Sequence, residues 1–316
     1  MADSRTLTGS RDDLVVDASR CLRMRFSESS CRPCADICPH GAVTLDGGLA
    51  IETELCRGCL LCTAVCPVGA LEHGSDFSAC LAQLSRVPEP ILGCIRTKEY
   101  SNSTMTCLGG LSDEHLLALC HSLPGELALN LTACSECPNS AMIPHLHQRL
   151  AALSEAEVLE GGCRIVIAES EADIHFSDES VDRRGFFKSL RSSLFQSATV
   201  ILSGSKEQTD RRSEYAVKRV PVRRELLNKI VGRLSPELGR LVLGLYNRRI
   251  VFTDNCTTCQ GCVAICPTGA LQTESQDEQP RFDPQRCTDC GLCVDFCIDG
   301  AVRLDSSGPC RATKPA

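Results

Sequence analysis

The most informative stretch of this 316-residue sequence is Cys256-Thr-Thr-Cys259-Gln-Gly-Cys262-Val-Ala-Ile-Cys266-Pro267. Three cysteines fall within seven residues, and a fourth follows three residues later, directly before a proline. This C-x2-C-x2-C-x3-C-P spacing is that of thiolate ligands to iron–sulfur clusters. The tight loop places three thiolates around one cluster, and the fourth thiolate reaches a second cluster beyond a short helix that the proline ends. The stretch therefore predicts one half of a paired cluster site.

The same pattern recurs in other parts of the chain. Residues 56–71, CRGCLLCTAVCPVGAL, align with residues 256–271, CTTCQGCVAICPTGAL, at a constant offset of 200 positions. A further run, CTDCGLCVDFC at 287–297, follows the second copy, but Ile298 stands where proline is expected. This change removes a conformational stop without removing a ligand, so it puts the local backbone geometry in question and not the cluster.

The remaining run, CRPCADICP at 31–39, has no cysteine at the usual first position. Cys21, ten residues before Cys31, is the nearest thiol that can replace it. A longer loop between ligands is tolerated because the entropy of loop closure grows slowly with length. We expect Cys21 to be a ligand; the alternative is a free thiol at Cys21 and another residue as ligand. Residues 41–52 alternate apolar and polar around Gly47-Gly48, which predicts a two-strand hairpin.

The regions 21–75 and 250–316 each resemble a bacterial-type two-cluster ferredoxin module. In that family each run supplies three ligands to one cluster and its last cysteine to the other. The resemblance therefore implies four [4Fe-4S] clusters, named A to D, with one ligand set each. Set A is Cys21, Cys31, Cys34 and Cys66; set B is Cys56, Cys59, Cys62 and Cys38; set C is Cys256, Cys259, Cys262 and Cys297; set D is Cys287, Cys290, Cys293 and Cys266.

The 24 cysteines have two competing uses, disulfides and zinc. Disulfide frameworks belong to secreted chains, and the first twenty residues are polar, without the apolar region of a signal peptide. Arg183-Arg184-x-Phe186-Phe187-Lys188 resembles a twin-arginine export motif, but that signal acts at an N-terminus and not in mid-chain. No run of about 18 apolar residues predicts a membrane span, so we expect a cytoplasmic protein made under low oxygen. Structural zinc sites use two C-x2-4-C pairs separated by a longer loop, unlike these runs.

The region 76–180 has cysteines in a different pattern. Strand-like segments ending near positions 94, 107 and 134 and a strand at 163–168 alternate with helix-like segments. This order predicts a small α/β domain with a mainly parallel sheet. Ligands of such sheets gather at the carboxyl ends of the strands. Cys94, Cys107, Cys134 and Cys137 all lie where predicted strands end.

This arrangement, through Cys94, Cys107-Leu-Gly-Gly110 and Cys134-x-x-Cys137, resembles the small iron–sulfur (delta) subunit family of methyl-viologen-reducing hydrogenases. The resemblance covers residues 90–168 and implies a fifth centre, [2Fe-2S] rather than [4Fe-4S], in a subunit that passes electrons to a larger reductase. The family's second cysteine near the first strand is missing, so the ligand set and the cluster type stay open. The alternative is four core or free thiols.

The other cysteines are given simpler roles. Cys80 and Cys120 lie on apolar faces of predicted helices, where cysteine behaves as a small hydrophobic residue; the alternative for Cys120 is a ligand of the fifth centre. Cys163 begins a strand and is expected to be buried, and Cys310 is an idle thiol in the tail. His145 and His147 are two positions apart on a predicted helix and point in different directions, so they predict no metal site.

The linker at 181–249 is basic, with sixteen Lys and Arg against six Asp and Glu, whereas the whole chain has a net charge of −7. Its second part, 221–249, predicts two amphipathic helices with a break at Ser235-Pro236. We expect their apolar faces to join the two ferredoxin modules and their arginines to be solvated. The alternative is that this basic face docks to an acidic partner or to a membrane surface.

Together these features predict an α+β protein with two ferredoxin-like modules that flank a small α/β domain. The predicted boundaries are a lead-in at 1–20, modules at 21–75 and 250–316, the α/β domain at 76–180 and a helical linker at 181–249.

Fully cysteine-ligated clusters pass electrons but have no open site for substrate. The chain has no G-x-G-x-x-G dinucleotide motif and no nucleophile–base pattern, so we assign no catalytic residue. We expect an electron-transfer subunit of an anaerobic oxidoreductase complex, with hydrogenase-like, heterodisulfide-reductase-like or flavin-containing partners. The alternatives are a catalytic reductase with a reactive middle cluster and a redox-sensing or scaffold protein. The acidic body argues against nucleic acid as a partner.

Overall fold

The computed structural model describes residues 12–174, 176, 215–246, 248–275 and 277–305. The twin-arginine-like segment and Cys310 lie outside the described residues. Within these ranges every helix is too short or too polar to cross a lipid bilayer.

The first module consists of short helices and two small antiparallel sheets. Its elements are β1 (Leu14–Val16), α1 (Leu22–Arg25), α2 (Pro33–Asp36), β2 (Val43–Thr44), β3 (Ala50–Ile51), α3 (Leu61–Val65) and β4 (Leu71–His73). Strand β2 pairs with β3, so the hairpin predicted around Gly47-Gly48 is confirmed. Strand β1 pairs with β4, and Leu14 is buried. Residues 14–16, within the lead-in predicted at 1–20, therefore complete a sheet of the module.

A four-stranded, fully parallel sheet forms the middle of the chain. Its elements are α4 (Phe77–Leu84), β5 (Ile91–Cys94), β6 (Ser103–Met105), α5 (Asp113–Ser122), β7 (Glu126–Asn130), α6 (Met142–Glu155) and β8 (Arg164–Ala168). The strand order is β6-β5-β7-β8, and every neighbouring pair is parallel. The prediction of a small α/β unit with a parallel sheet is confirmed. Burial of Leu127, Leu129 and the apolar face of α5 explains why these segments are almost continuously hydrophobic.

Two helices, α7 (Val222–Val231) and α8 (Pro236–Tyr246), form a strap across the molecule. The predicted break at Ser235-Pro236 is confirmed, because Pro236 is the first residue of α8. Helix α7 packs along α5, and Leu227 belongs to the same core as the middle sheet. The strap therefore rests on the α/β unit as well as on the two modules.

The interpretation that the strap arginines are solvated is wrong at two positions. The Arg223 guanidinium donates hydrogen bonds to the carbonyl oxygens of Ala64 (2.6 Å) and Cys66 in the first module. The Arg224 residue is 2% exposed and donates to the carbonyl oxygen of Pro284 at 2.8 Å. These neighbouring arginines face opposite modules because free carbonyl groups at loop and helix ends attract guanidinium donors.

The last module repeats the architecture of the first. Its elements are β9 (Arg249–Phe252), α9 (Gly261–Ile265), β10 (Leu271–Gln272), β11 (Arg281–Phe282), α10 (Leu292–Phe296) and β12 (Val302–Asp305). Strand β9 pairs with β12 and β10 pairs with β11, both antiparallel. These pairings correspond to β1 with β4 and β2 with β3, as the sequence repeat leads one to expect.

The two modules pack directly against each other. Leu292 and Cys290 of the last module join the hydrophobic cluster that contains Cys21 and Leu22 of the first. The rings of Phe26 and Phe296 meet edge to face, with their centroids 5.3 Å apart. The two modules are therefore neighbours in space, although more than 150 residues separate them in the sequence.

Candidate iron–sulfur centres

Set A forms around the loop between α1 and α2, with Cys21 at the start of α1. Burial, together with the neighbouring Cys66 and Cys21 thiols, raises the pKa of Cys31 and of Cys34 to about 12. Cys21 is itself buried and has Cys66 as an electrostatic neighbour. The structure thus brings Cys21 beside the other three thiols, despite the ten-residue gap before Cys31.

Set B takes three thiols from the loop before α3 and one from the preceding run. Burial raises the pKa of Cys62, and Cys59, Cys56 and Cys38 add to the effect. Burial also raises the pKa of Cys59, to which Cys38 and Cys56 contribute. Cys38 therefore lies with the second run and not with its own, which is the crossing that the ferredoxin resemblance implies.

The last module shows the same crossing in set D. Burial raises the pKa of Cys293 to about 12, and the next largest contributions come from Cys287 and Cys266. The pKa of Cys290 is raised by burial first and then by the same two thiols together with Cys293. Cys266, the last cysteine of the run at 256–266, thus lies among the three thiols of the following run.

Set C is the most exposed of the four sets. Burial raises the pKa of Cys262 to about 11, with Cys256 and Cys259 as neighbouring thiols. Cys259 is exposed, and Cys297 packs in the same apolar cluster as Cys262. The structure brings the three loop cysteines together, and Cys297, at the end of α10, packs against the same apolar cluster as Cys262.

Backbone N–H groups donate to the last cysteine of each run. In three runs the donor is the backbone amide four residues after the cysteine. Its nitrogen lies 3.3 Å from the sulfur of Cys38, 3.2 Å from that of Cys66 and 3.3 Å from that of Cys297. At Cys266 burial acts to raise the pKa, but hydrogen bonds from the segment at 268–271 outweigh it and lower the pKa. Donors of this kind stabilise thiolate sulfur, as ligands of a metal cluster require.

The missing proline after Cys297 does not alter the backbone. The φ and ψ angles of Cys297 are −75° and 104°, close to −66° and 112° at Cys66 and to −58° and 118° at Cys266. Ile298 therefore leaves the local backbone geometry unchanged. The amide of Ala301 donates to the Cys297 sulfur as the corresponding amides do in the other runs.

These thiols fit clusters better than single ions. In the described part of the chain, no three His, Cys, Asp or Glu side chains are arranged to hold one metal ion. Ligands of a cluster bind different irons and are therefore further apart than ligands of one ion. The buried sets with N–H donors to sulfur are the observation that supports cluster binding.

The four middle thiols meet at the carboxyl edge of the parallel sheet, where they line a cavity of about 230 Å³. Burial raises the pKa of Cys107 to about 12, and Cys94 and Cys134 are among its neighbours. Burial raises the pKa of Cys134 to about 11, with Cys94 and Cys137 as neighbours. The sheet therefore gathers Cys94, Cys107, Cys134 and Cys137 as its strand ends predict.

Cys120 lies apart from this cavity. Its sulfur faces the carbonyl oxygens of Leu159 at 3.4 Å and Cys163 at 3.3 Å, and it is fully buried. Cys163 is also buried, and so is Cys80. These three positions agree with the packing role predicted for them, and Cys120 is not among the thiols that the cavity gathers.

The five thiol sets form one continuous row in the order C, D, A, B and middle centre. The Cys262 thiol of set C raises the pKa of Cys293 in set D, and the Cys34 thiol of set A raises the pKa of Cys62 in set B. Sets D and A meet at the contact between the modules. Set B and the middle thiols meet where the Cys59 thiol raises the pKa of Cys107. Successive sets thus influence each other's pKa or pack in one apolar cluster.

Several site features do not follow from the cysteine spacing. Arg57, which belongs to the set B loop, and Arg96 both line the middle cavity. In the sequence, the position of Arg57 directly after Cys56 indicates that it lies near a thiol set. His73 and His115 also meet, with their Nε2 atoms 3.2 Å apart, between the first module and α5. No spacing rule indicates this pair, because 42 positions separate them.

Comparison with known families agrees with the two cysteine-rich ends. Residues 249–298 match the 4Fe-4S dicluster domain, and residues 28–76 match the LdpA Fe-S cluster-binding domain. Neither match extends into residues 77–248, so the resemblance of the middle region to a hydrogenase delta subunit stays a prediction. No solved structure matches the chain.

The similar curated proteins include an electron transport protein and subunits of larger enzymes. The electron transport protein HydN of Escherichia coli is 46% identical over 41 residues, which is 13% of this chain and 23% of HydN. A selenate reductase subunit of Mesobacillus selenatarsenatis is 33% identical over 78 residues, 22% of this chain and 27% of that protein. Pyruvate synthase subunit PorD of Methanocaldococcus jannaschii is 34% identical over 59 residues, 18% of this chain and 60% of PorD.

The class of protein follows from these matches and from the geometry. The chain is an iron–sulfur protein with [4Fe-4S] binding domains, and its similarity is to electron-transfer subunits. The matched part of the chain spans about a quarter of the length of HydN. The partners and substrates of this chain are therefore proposals.

Proposed function

We propose that this protein is an electron-transfer subunit that relays single electrons through four [4Fe-4S] clusters and a fifth iron–sulfur centre. The observation that carries the proposal is the continuous row of thiol sets, in which each set neighbours the next. Electron transfer needs short separations between centres, and a row of five supplies them without a gap.

The chain's own residues have defined tasks in this relay. The sixteen thiols of sets A to D hold the cubanes, and Cys94, Cys107, Cys134 and Cys137 hold the fifth centre. The amides that face Cys38, Cys66 and Cys297 donate to the ligand sulfur and favour its thiolate form. The clusters supply one-electron chemistry when bound. Burial keeps water away from the central sets and so limits loss of electrons to solvent.

The two ends of the row reach the surface and offer places for partners. At one end Cys259 is exposed, and the Ile298 side chain next to Cys297 is 94% exposed. At the other end the middle cavity is open and is bordered by Arg57 and Arg96. We propose that a donor protein and an acceptor protein contact these ends. Relatives named as subunits of formate hydrogenlyase and selenate reductase support a place in a larger redox complex, with a hydrogenase-like or flavin-containing partner.

The fifth centre is proposed as [2Fe-2S] on the basis of the delta-subunit resemblance and of four thiols around one cavity. The full chain, purified without oxygen, is expected to hold about eighteen iron atoms, sixteen in cubanes and two in the fifth centre. Cys134→Ser is expected to lower the iron count by about two and to remove one class of signal in electron paramagnetic resonance (EPR).

The matched control is Cys120→Ser, since Cys120 is buried in the same domain away from the cavity. This variant is expected to keep all the iron. A colourless chain, or iron far below sixteen atoms, refutes the relay. Sixteen atoms with no loss in Cys134→Ser refutes the fifth centre alone.

A catalytic reductase is the second candidate, and the open side of the middle cavity favours it. The cavity lined by the four thiols is bordered by Arg57 and Arg96, where a small anionic substrate would approach the centre. Turnover of a substrate by the isolated chain, lost in Cys134→Ser and kept in Cys120→Ser, is the result that selects the reductase over the relay.

A further inference from the structure

Arg25 lies at the junction of the two modules. It is the last residue of α1, four positions after Cys21 of set A. The neighbouring Phe26 packs edge to face on Phe296 of the other module. The thiols of Cys266 and Cys290, both of set D, are among the charges that act on the Arg25 guanidinium. The Arg25 side chain, which starts beside set A, therefore lies within electrostatic range of the thiols of set D.

Two nitrogen atoms of this guanidinium, Nε and Nη2, are buried and have no hydrogen-bond partner among the described residues. The guanidinium carbon lies 5.6 Å from the centre of the Tyr215 ring, a contact that orients the group without accepting its hydrogen bonds. The Asp17 carboxylate also raises the pKa of Arg25, but the ion pair that it forms is with Arg219, at 3.6 Å. Buried N–H groups are nearly always paired, so these donors point to acceptors that the cluster itself supplies.

Other cations surround the same set. Lys218 lies near both Arg25 and Cys266, and its ammonium donates to the carbonyl oxygen of Ala264. Arg286 donates from Nε to the carbonyl oxygen of Thr268 at 2.9 Å, beside the same ligand loop. Three cations therefore lie near set D, and Arg25 is the one that comes from the opposite module. The acidic group beside the same set, Asp289, pairs with Arg248 at 3.0 Å.

We propose that Arg25 donates hydrogen bonds to the sulfur atoms of cluster D and raises its reduction potential, which makes D the accepting cluster at the junction between the modules. The inference rests on the proposed function, because it requires that set D hold a cluster. When one electron passes from A to D, cluster A is oxidised by one electron and cluster D is reduced by one. No covalent bond or proton changes place in this step.

The physical basis is the charge of the reduced state. Reduction adds one negative charge to cluster D, and a fixed positive charge at short range in a partly buried site favours that state. Hydrogen bonds to the sulfur atoms act in the same direction. The guanidinium stays charged throughout the accessible pH range, so the effect is permanent.

The test is a potentiometric titration of the full chain, followed by EPR. The wave of cluster D is identified as the one that shifts or disappears in Cys290→Ser. In Arg25→Gln this wave is expected to move to lower potential, with the equilibrium constant for its reduction about tenfold smaller, which is about 59 mV for one electron. Arg25→Lys keeps the charge but not the planar fork, and a smaller shift of the same sign is expected.

Arg32→Gln is the matched control, since Arg32 lies on the set A loop, is exposed and pairs with Asp36 at 2.6 Å. Its D wave is expected to stay in place. If the D wave of Arg25→Gln and of Arg25→Lys moves no more than in this control, with iron content unchanged, the inference is overturned and the relay remains. If the unmodified chain holds no cluster at set D, the proposed function fails instead. Should Arg25→Gln not assemble, the Arg25→Lys titration decides.

Discussion

The backbone of Gly109 lies against the carbonyl oxygen of Cys59, so closely that a β-carbon at position 109 would be 2.3 Å from that oxygen. Gly109 belongs to the turn that follows Cys107 of the middle cavity, and Cys59 is a thiol of set B. This contact fixes the separation between set B and the middle thiols. Because the opposing atom belongs to the backbone, no side-chain rotation relieves the clash.

Gly109→Ala is therefore expected to push the set B loop away from the middle thiols. Overpacking of this kind costs roughly 1–3 kcal/mol of unfolding free energy. We expect a lower melting temperature and slower reduction of the fifth centre, measured by freeze-quench EPR after cluster B has been reduced. Gly232→Ala is the control, because a β-carbon there meets its nearest atoms only at 3.6 Å. Equal behaviour of the two variants contradicts a role for the Gly109–Cys59 contact.

Local sequence was sufficient to predict each module. The ligand spacing places three thiols in one tight loop, and the chain-reversing Gly47-Gly48 pair sets the hairpin between runs. The same reasoning placed Cys94 and Cys107 at strand ends, since parallel strands present their carboxyl ends at one edge. These features depend on residues close together in the chain, and a single sequence contains them.

The order of the thiol sets could not be predicted in the same way. It depends on which surfaces of the modules meet, and the contact between Phe26 and Phe296 has no periodicity or spacing to indicate it. The solvated role predicted for Arg223 failed for a related reason. Helical periodicity shows which face is polar, but it does not show that free carbonyl groups of another segment lie opposite that face.

Arg223 is expected to be important for stability. Its guanidinium donates to the carbonyl oxygens of Ala64 and Cys66 at the end of α3, and its Nε lies 3.8 Å from the Glu114 carboxylate. Arg223→Ala removes the donor to these two carbonyl oxygens and the cation beside the largely buried Glu114 carboxylate, which costs about 1–3 kcal/mol. We expect faster thermal loss of the cluster absorbance.

The control for this variant is Arg240→Ala, since Arg240 is exposed on the other strap helix. Its half-life at elevated temperature is expected to equal that of the unmodified chain. If Arg223→Ala decays no faster than Arg240→Ala, the strap does not stabilise the first module through Arg223.

His115 is expected to make the protein sensitive to acid. Burial, together with the nearby His73, lowers its pKa to about 3. In the unfolded chain the imidazole takes up a proton below about pH 6.5. The unfolded state thus binds more protons, and stability falls as the pH decreases from 6.5 towards 3.

His115→Asn tests this pH dependence and keeps an acceptor for the Ser112 amide, which lies 3.2 Å from Nδ1 of His115. The loss of stability below pH 6.5 is expected to become less steep by up to about 1.4 kcal/mol per pH unit. The melting temperature at pH 7.5 and at pH 5.5 measures the effect. His147→Asn, at an exposed histidine paired with Glu169, serves as the control and is expected to keep the original slope. An unchanged slope in His115→Asn rules out His115 as the group responsible.

Ile298→Pro is expected to be tolerated, although it changes the residue next to a proposed ligand. The backbone of Cys297 already has the extended ψ of 104° that a following proline favours, and Cys66 and Cys266 precede proline with similar angles. Proline reduces the freedom of the unfolded chain, so the variant is expected to be more stable by about 0.4–1 kcal/mol, with iron content unchanged. Ile298→Ala removes the same 94% exposed side chain without restraining the backbone, and no such gain is expected from it. Loss of iron in Ile298→Pro, but not in Ile298→Ala, shows that the backbone at Cys297 differs from that of the other runs.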